Sequence, residues 1–164
     1  MKVKRSPKKT LSLLSEFCEA KTMSNQTVLE YLNRLAADNQ IKIFWLNQLH
    51  EFTTPACDTQ TRKIVMNPNW HNANQIPFQL AHEIAHVLIS DNSDRILYFS
   101  SAANHSKIEM EANKKAVELL IPEYLEYADP ANINANDFVD QFSVPHFLSN
   151  FAQEVLSNCS RSQE

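Results

Sequence analysis

The sequence predicts an α+β fold, a mostly helical domain with a small antiparallel β-sheet packed on one central helix. Three observations predict it. Apolar residues recur at three- and four-residue spacings over most of the chain. Two short runs, Ile41-Lys42-Ile43-Phe44-Trp45-Leu46 and Arg62-Lys63-Ile64-Val65-Met66-Asn67, are rich in β-formers. After them comes an apolar helical stretch, Gln79-Leu80-Ala81-His82-Glu83-Ile84-Ala85-His86-Val87-Leu88-Ile89, which carries the pattern His-Glu-x-x-His. With 164 residues, 43% of them hydrophobic, the chain has enough material for one domain with a core of its own.

In chain order, residues 1–9 hold five of the fifteen basic residues and read as a disordered basic arm. Residues 10–160 read as a single domain. Leu11, Leu14 and Cys18, with Leu13 and Phe17, give residues 9–20 helical spacing. Ser24 is placed to cap a second helix through Val28, Leu29, Leu32, Leu35 and Ala36, which Asp38-Asn39-Gln40 stops. The β-rich runs at 41–46 and 62–67 are separated by a polar stretch with Pro55 and are expected to pair antiparallel. Ile76-Pro77 suits the first turn of the motif helix. A polar break at 90–94 leads to Ile96-Leu97-Tyr98-Phe99, open between strand and apolar loop. A long helix is expected over residues 106–120, stopped by Ile121-Pro122, because proline removes a helix donor. Beyond it come a short helical turn at 123–127, a helix near 136–142 and a last helix over 143–156.

Composition narrows the function. The net charge of -4 argues against wholesale binding to nucleic acid or anionic membrane. No apolar run approaches a membrane span, and Leu11-Ser12-Leu13-Leu14 is too short for a signal-peptide core, so a cytoplasmic protein is expected. Cys18, Cys57 and Cys159 are isolated and in no metal-ligand spacing, and so read as reduced thiols. The chain has no glycine and sixteen asparagines, which excludes Gly-rich phosphate loops. Asparagine is expected to take the left-handed turn positions that glycine usually fills.

The motif helix carries the chemistry. Residues four apart on an α-helix project from nearly the same side, about 6 Å apart along the axis, so the His82 and His86 rings can reach one ion. Glu83 flanks them, where a carboxylate can take a proton from bound water. A catalytic zinc needs one further protein ligand and keeps a position for water. Position 92 is Asn, so the third histidine of the metzincin pattern is absent. The next candidates lie in Glu109-Met110-Glu111-Ala112-Asn113-Lys114-Lys115-Ala116, on the long helix that follows.

Taken together, His82-Glu83-Ile84-Ala85-His86, then Glu109-x-Glu111-Ala112-Asn113-x-x-Ala116, then Leu119-Leu120-Ile121-Pro122 resemble the ImmA/IrrE family of prokaryotic and phage metallopeptidases. Phe138-Val139-Asp140-Gln141-Phe142-Ser143-Val144-Pro145 looks like a segment that follows in relatives, so the resemblance spans roughly residues 25–157. It implies a zincin-like fold and a metal held by His82, His86 and Glu109, with Glu83 as the catalytic base. Zinc is the expected ion, ahead of manganese. By likeness to the wider Glu-x-x-Ala-Asp pattern, Glu109 is the ligand and Asn113 the neighbour of a ligating imidazole. Glu111, about 200° around the helix, is the alternative ligand. Asn113 departs from the Asp of that pattern, and Ala85 stands where relatives often have Gly.

The resemblance further implies an endopeptidase acting on a protein substrate, a helix-turn-helix transcriptional repressor, with no direct contact to nucleic acid or membrane. The alternative is a non-catalytic module that binds a transcription regulator on the same scaffold. It is motivated by the donor for the transition-state oxyanion, since His105, Tyr98, Tyr124 and His146 all have the chemistry and the sequence does not choose among them.

Overall fold

The computed structural model describes residues 23–90 and 102–161. The basic arm, the helix expected at 9–20, and the run at 96–99 with Tyr98 lie outside the described residues. Five α-helices and three strands are described: α1 (Asn25–Asp38), β1 (Lys42–Trp45), β2 (Ala56–Asp58), β3 (Lys63–Met66), α2 (Ile76–Ile89), α3 (Ala102–Tyr127), α4 (Ala135–Phe142) and α5 (Ser149–Arg161).

Helix α1 starts where its cap predicts. The Ser24 hydroxyl accepts from the Thr27 amide at 3.2 Å, and Val28, Leu32 and Ala36 are buried on one side. The chain then turns at Gln40, whose φ of 59° is left-handed, and enters β1.

The sheet is mixed, which corrects the expectation of an antiparallel one. Its order is β1-β3-β2, with β1 parallel to β3 and β2 antiparallel to it. The short strand β2 emerges from the polar stretch after Pro55 and returns into β3 through a tight turn, so β3 enters the middle of the sheet alongside β1. In that turn Asp58 accepts the Gln60 and Thr61 amides at 3.0 and 3.3 Å and the Thr61 hydroxyl at 2.6 Å, and the Thr61 bonds hold its carboxyl below the usual range. Arg62 follows at φ 52°, and its guanidinium donates to the Asn39 carbonyl at 3.1 and 2.8 Å, tying the turn to the end of α1.

The loop between β1 and β2 is held by one buried side chain. Asn67, fully buried at the end of β3, donates to the His50 and Thr53 carbonyls at 2.8 and 2.9 Å and accepts from the Asn69 amide at 2.9 Å. Leaving such a group unpaired costs about 1–3 kcal/mol, so the loop is fixed by the same residue that ends the strand.

Left-handed positions are not taken by asparagine. Among the described residues Gln40, Arg62 and Ser143 occupy them. Asparagines instead cap and brace: Asn72 and Asn134 cap the starts of a 3₁₀ turn and α4, and the Asn39 amide donates to the Leu35 carbonyl at 2.8 Å at the end of α1. A short amide that reaches a backbone group gains a hydrogen bond there, which a bare turn position does not offer.

Helix α2 is central. Ile76, Pro77, Phe78, Leu80, Ala81, Ile84, Ala85 and Val87 are all buried, and the helix packs most extensively on α3, and also on α1 and β2. Ala81, Ala85, Ala112 and Ala116 are completely buried, and small side chains let helix axes approach closely.

Helix α3 departs from expectation at both ends. It begins at Ala102, earlier than expected, and runs through Pro122 to Tyr127 without stopping. An interior proline costs roughly 3 kcal/mol. Here Leu120, Ile121 and Tyr124 are buried on either side of it, and each large apolar side chain buried stabilises by about 1.5–3 kcal/mol, enough to carry the helix across. The carbonyl that loses its donor belongs to exposed Glu118. Helix α4 ends at Ser143 with φ 47°, and α5 begins at Ser149 after a 3₁₀ turn at His146–Leu148, later than the sequence pattern implies.

Among the described residues no helix is long and apolar enough to cross a membrane. Cys57 and Cys159 are both free thiols.

Candidate metal centre

A cleft of about 910 Å³ opens between α2, α3 and the β2 hairpin. His82, Glu83 and His86 line it from α2, His105, Glu109 and Asn113 from α3, and Cys57 from β2.

Three donors converge in it. The Nε2 atoms of His82 and His86 are 3.0 Å apart, with their rings edge-on. Glu109 places one carboxylate oxygen 3.4 Å from His82 Nε2 and the other 3.5 Å from His86 Nε2. Ligands about 2.0–2.1 Å from a tetrahedral ion lie about 3.3–3.4 Å from one another, so these spacings fit a first-row divalent cation without rearrangement of the backbone. The donor set fits too, two imidazoles and a carboxylate, with the cleft leaving an open side.

Glu109 and Glu111 are separated by helix phase. Glu111 is exposed and pairs with Lys107 at 3.9 Å one turn back along α3, away from the cleft. Glu109 is the carboxylate the structure brings to both imidazoles.

Electrostatics favour the ligating forms. Burial holds His82 below the usual imidazole range, and the neighbouring His86 adds to this, while Glu109 and Asn113 oppose it. His86 is likewise lowered by burial, against the pull of Glu109. Both rings are therefore biased towards the neutral form that binds metal. Asn113 acts on His82 as a hydrogen-bonding neighbour, yet buried Nδ1 of that ring finds no partner within bonding distance. The amide thus stands beside the imidazole in a loose contact, without the firm Nδ1 bond that usually orients a metal-bound histidine.

Glu83 is buried and lies outside the three-donor cluster. Burial pushes its carboxyl up to about 7; the Glu109 charge adds to that, and a hydrogen bond from Cys57 works against it. Cys57 is the site residue that sequence reasoning missed. Its isolated position gives no signal, because it reaches Glu83 only through the packing of β2 on α2.

The other sequence candidates fall apart in space. Tyr124 is buried, donates to the Asn134 carbonyl at 3.3 Å and does not line the cleft. His146 is exposed beside a separate, smaller hollow at the end of α4.

A helix bearing His-Glu-x-x-His, completed by a carboxylate from a neighbouring helix and facing an open cleft, is the layout of a metallohydrolase centre. The model of the IrrE N-terminal-like domain, which defines the M78 peptidases, matches residues 36–144, and the chain belongs to that family. The match takes in all three strands, α2, α3 and α4. Neither the curated proteins nor the solved structures include a significant match to the chain.

Proposed function

We propose that this protein is a zinc-dependent endopeptidase in which His82, His86 and Glu109 hold the metal and Glu83 is the general base. One observation carries the reading: the Glu83 carboxyl, pushed up to about 7, stands beside a converged His-His-Glu cluster in an open cleft. A base whose pKa lies near the working pH is poised to accept and return a proton. Zinc at the cluster supplies a polarised carbonyl and a more acidic water.

The steps follow from the side chains. Glu83 takes a proton from water as the water oxygen bonds to the carbonyl carbon, and the carbonyl π pair moves onto its oxygen. When that pair returns, the C–N bond breaks, and Glu83 passes its proton to the leaving nitrogen. Burial of Glu83 keeps bulk water from competing for that proton. The substrate is a protein segment in extended form. Among the described residues strand β2 is at the sheet edge, and it lines the cleft, so its outer side offers main-chain hydrogen bonds to an added strand. The resemblance to ImmA/IrrE proteins implies a regulatory substrate, a helix-turn-helix repressor.

The experiment is incubation of the zinc-loaded protein with the helix-turn-helix repressor encoded beside its gene. Chelator-sensitive fragments are expected, with Glu83→Gln retaining zinc but not cleaving, and His82→Ala losing both. An active Glu83→Gln variant overturns the mechanism, and a stable complex with intact repressor points to a binding module instead.

A further inference from the structure

We infer that the Gln79 carboxamide is a specificity-determining group of this cleft, pairing with the side-chain amide of an asparagine or glutamine that flanks the scissile bond. The inference rests on the peptidase reading above and names the substrate side chain which that reading leaves open.

An orphaned atom carries it. The Gln79 side-chain oxygen is shut off from solvent and meets no hydrogen-bond donor among the described residues, yet Gln79 lines the cleft. A buried amide oxygen left unpaired costs free energy, and native structures leave few such atoms. Among the described side chains that line the cleft, His82 holds the other one, at Nδ1, and that ring belongs to the metal centre. The Gln79 oxygen has no hydrogen bond to break, and the last torsion of a glutamine is soft, so the amide can turn towards a ligand.

Its position sets where that ligand sits. Gln79 is one turn before His82 on α2. Asn113 acts on His82 and His105 on His86, so α3 runs antiparallel to α2, and Gln79 and His105 lie towards opposite ends of the cleft. A helical turn is about 5.4 Å and an extended chain advances about 3.3 Å per residue, so the substrate residue met there is within about two of the cut bond.

The surroundings choose its chemistry. Gln75 and Asn113 line the same end, and Phe78 beside them is buried. Gln75 is held in place: it accepts from Trp70 Nε1 at 2.9 Å and donates to the Ser143 carbonyl at 3.5 Å. Asn113 stands against the His82 ring. These groups are carboxamides and an aromatic ring, with no charge to pair an ammonium or a carboxylate that leaves water among them. A carboxamide loses less on entering, and it has both a donor and an acceptor to match those of Gln79.

The test uses full-length zinc-loaded protein with Gln79→Leu and Gln79→Glu. The substrates are the repressor and a library of acetylated decapeptides varied at every position, and the bonds cut in each are mapped by mass spectrometry. Wild type is expected to favour asparagine or glutamine at one position within two residues of the cut bond. Replacing that residue by leucine should lower wild-type kcat/KM about 10-fold or more. Gln79→Leu should keep the zinc stoichiometry, favour leucine or methionine at the same position, and lose the effect of that replacement. Gln79→Glu should favour lysine there. A Gln79→Leu variant that binds zinc and keeps the wild-type preference, or that loses activity equally on every peptide, overturns this assignment and leaves the peptidase reading standing. A wild-type protein that takes up zinc yet cuts neither the repressor nor the library overturns both.

Discussion

Cys57 on β2 and Glu83 on α2 line the same cleft, close enough for the thiol to act on the carboxylate as a hydrogen-bonding neighbour. Burial first, then the charge of Glu83, pushes the thiol well above its ordinary range, so Cys57 stays a protonated donor. The thiol's influence favours the ionised carboxylate and partly offsets the burial which raises Glu83. Cys57→Ala is therefore expected to move the acidic limb of the kcat/KM profile to higher pH, with a larger loss of activity at pH 6 than at pH 8. An unmoved limb denies Cys57 this influence.

Glu83 also links stability to pH in the metal-free protein. Its folded pKa of about 7 exceeds the ordinary carboxyl value of 4.5, so the folded state keeps a proton that the unfolded chain releases. The contribution is fully present below pH 4.5 and is lost as pH rises through about 7. Glu83→Gln cannot ionise. It should match wild type near pH 4 and be more stable at pH 8, by up to roughly 3 kcal/mol. Urea unfolding of both proteins without metal at the two pH values checks this, and equal stability at pH 8 contradicts it.

Zinc should stabilise the folded protein through Glu109 and not through Glu111. A ligand at 100 times its Kd adds about 2.7 kcal/mol, which in a domain of this size raises Tm by about 5–10 °C. Glu109→Ala should abolish the rise. Glu111→Ala should leave it intact, because Glu111 is exposed and its pairing with Lys107 is a surface one. Thermal melts with and without zinc decide, and the reverse pattern reassigns the ligand.

The left-handed residues offer a test independent of the cleft. Gln40 at φ 59° and Ser143 at φ 47° each hold a conformation that disfavours residues with a Cβ. Gln40→Gly and Ser143→Gly should each stabilise by about 0.5–1 kcal/mol, the relief exceeding the extra freedom of glycine in the unfolded chain. Arg62→Gly should gain less or lose, since it also removes two hydrogen bonds to the Asn39 carbonyl. Denaturant midpoints measure all three.

The features legible in the sequence are periodic or local. The spacing of His82 and His86 sets their common side by helix geometry alone, and Ser24 caps α1 through a bond spanning three residues. The phase of α3 separates Glu109 from Glu111, because buried Ile108, Ala112 and Ala116 fix which side of that helix meets the core. The direction of pairing between β1 and β3 was not legible, since alternation states which face is buried and not which neighbour a strand meets. The passage of α3 through Pro122 was hidden for a similar reason: a local penalty is visible in the sequence, and the burial that outweighs it is not.

By itself, then, the sequence determined a mostly helical α+β chain, the residues able to bind a metal, and their grouping on two helices. Tertiary structure decided the rest. It brought Glu109 within 3.4 Å of His82, set Cys57 against Glu83, and separated His105 from Tyr124 and His146. Helix periodicity acts over four residues and can be read from spacing. The packing of β2 and α3 against α2 depends on burying surfaces far apart in the chain, and no local pattern records which polar side chains that burial leaves facing one another.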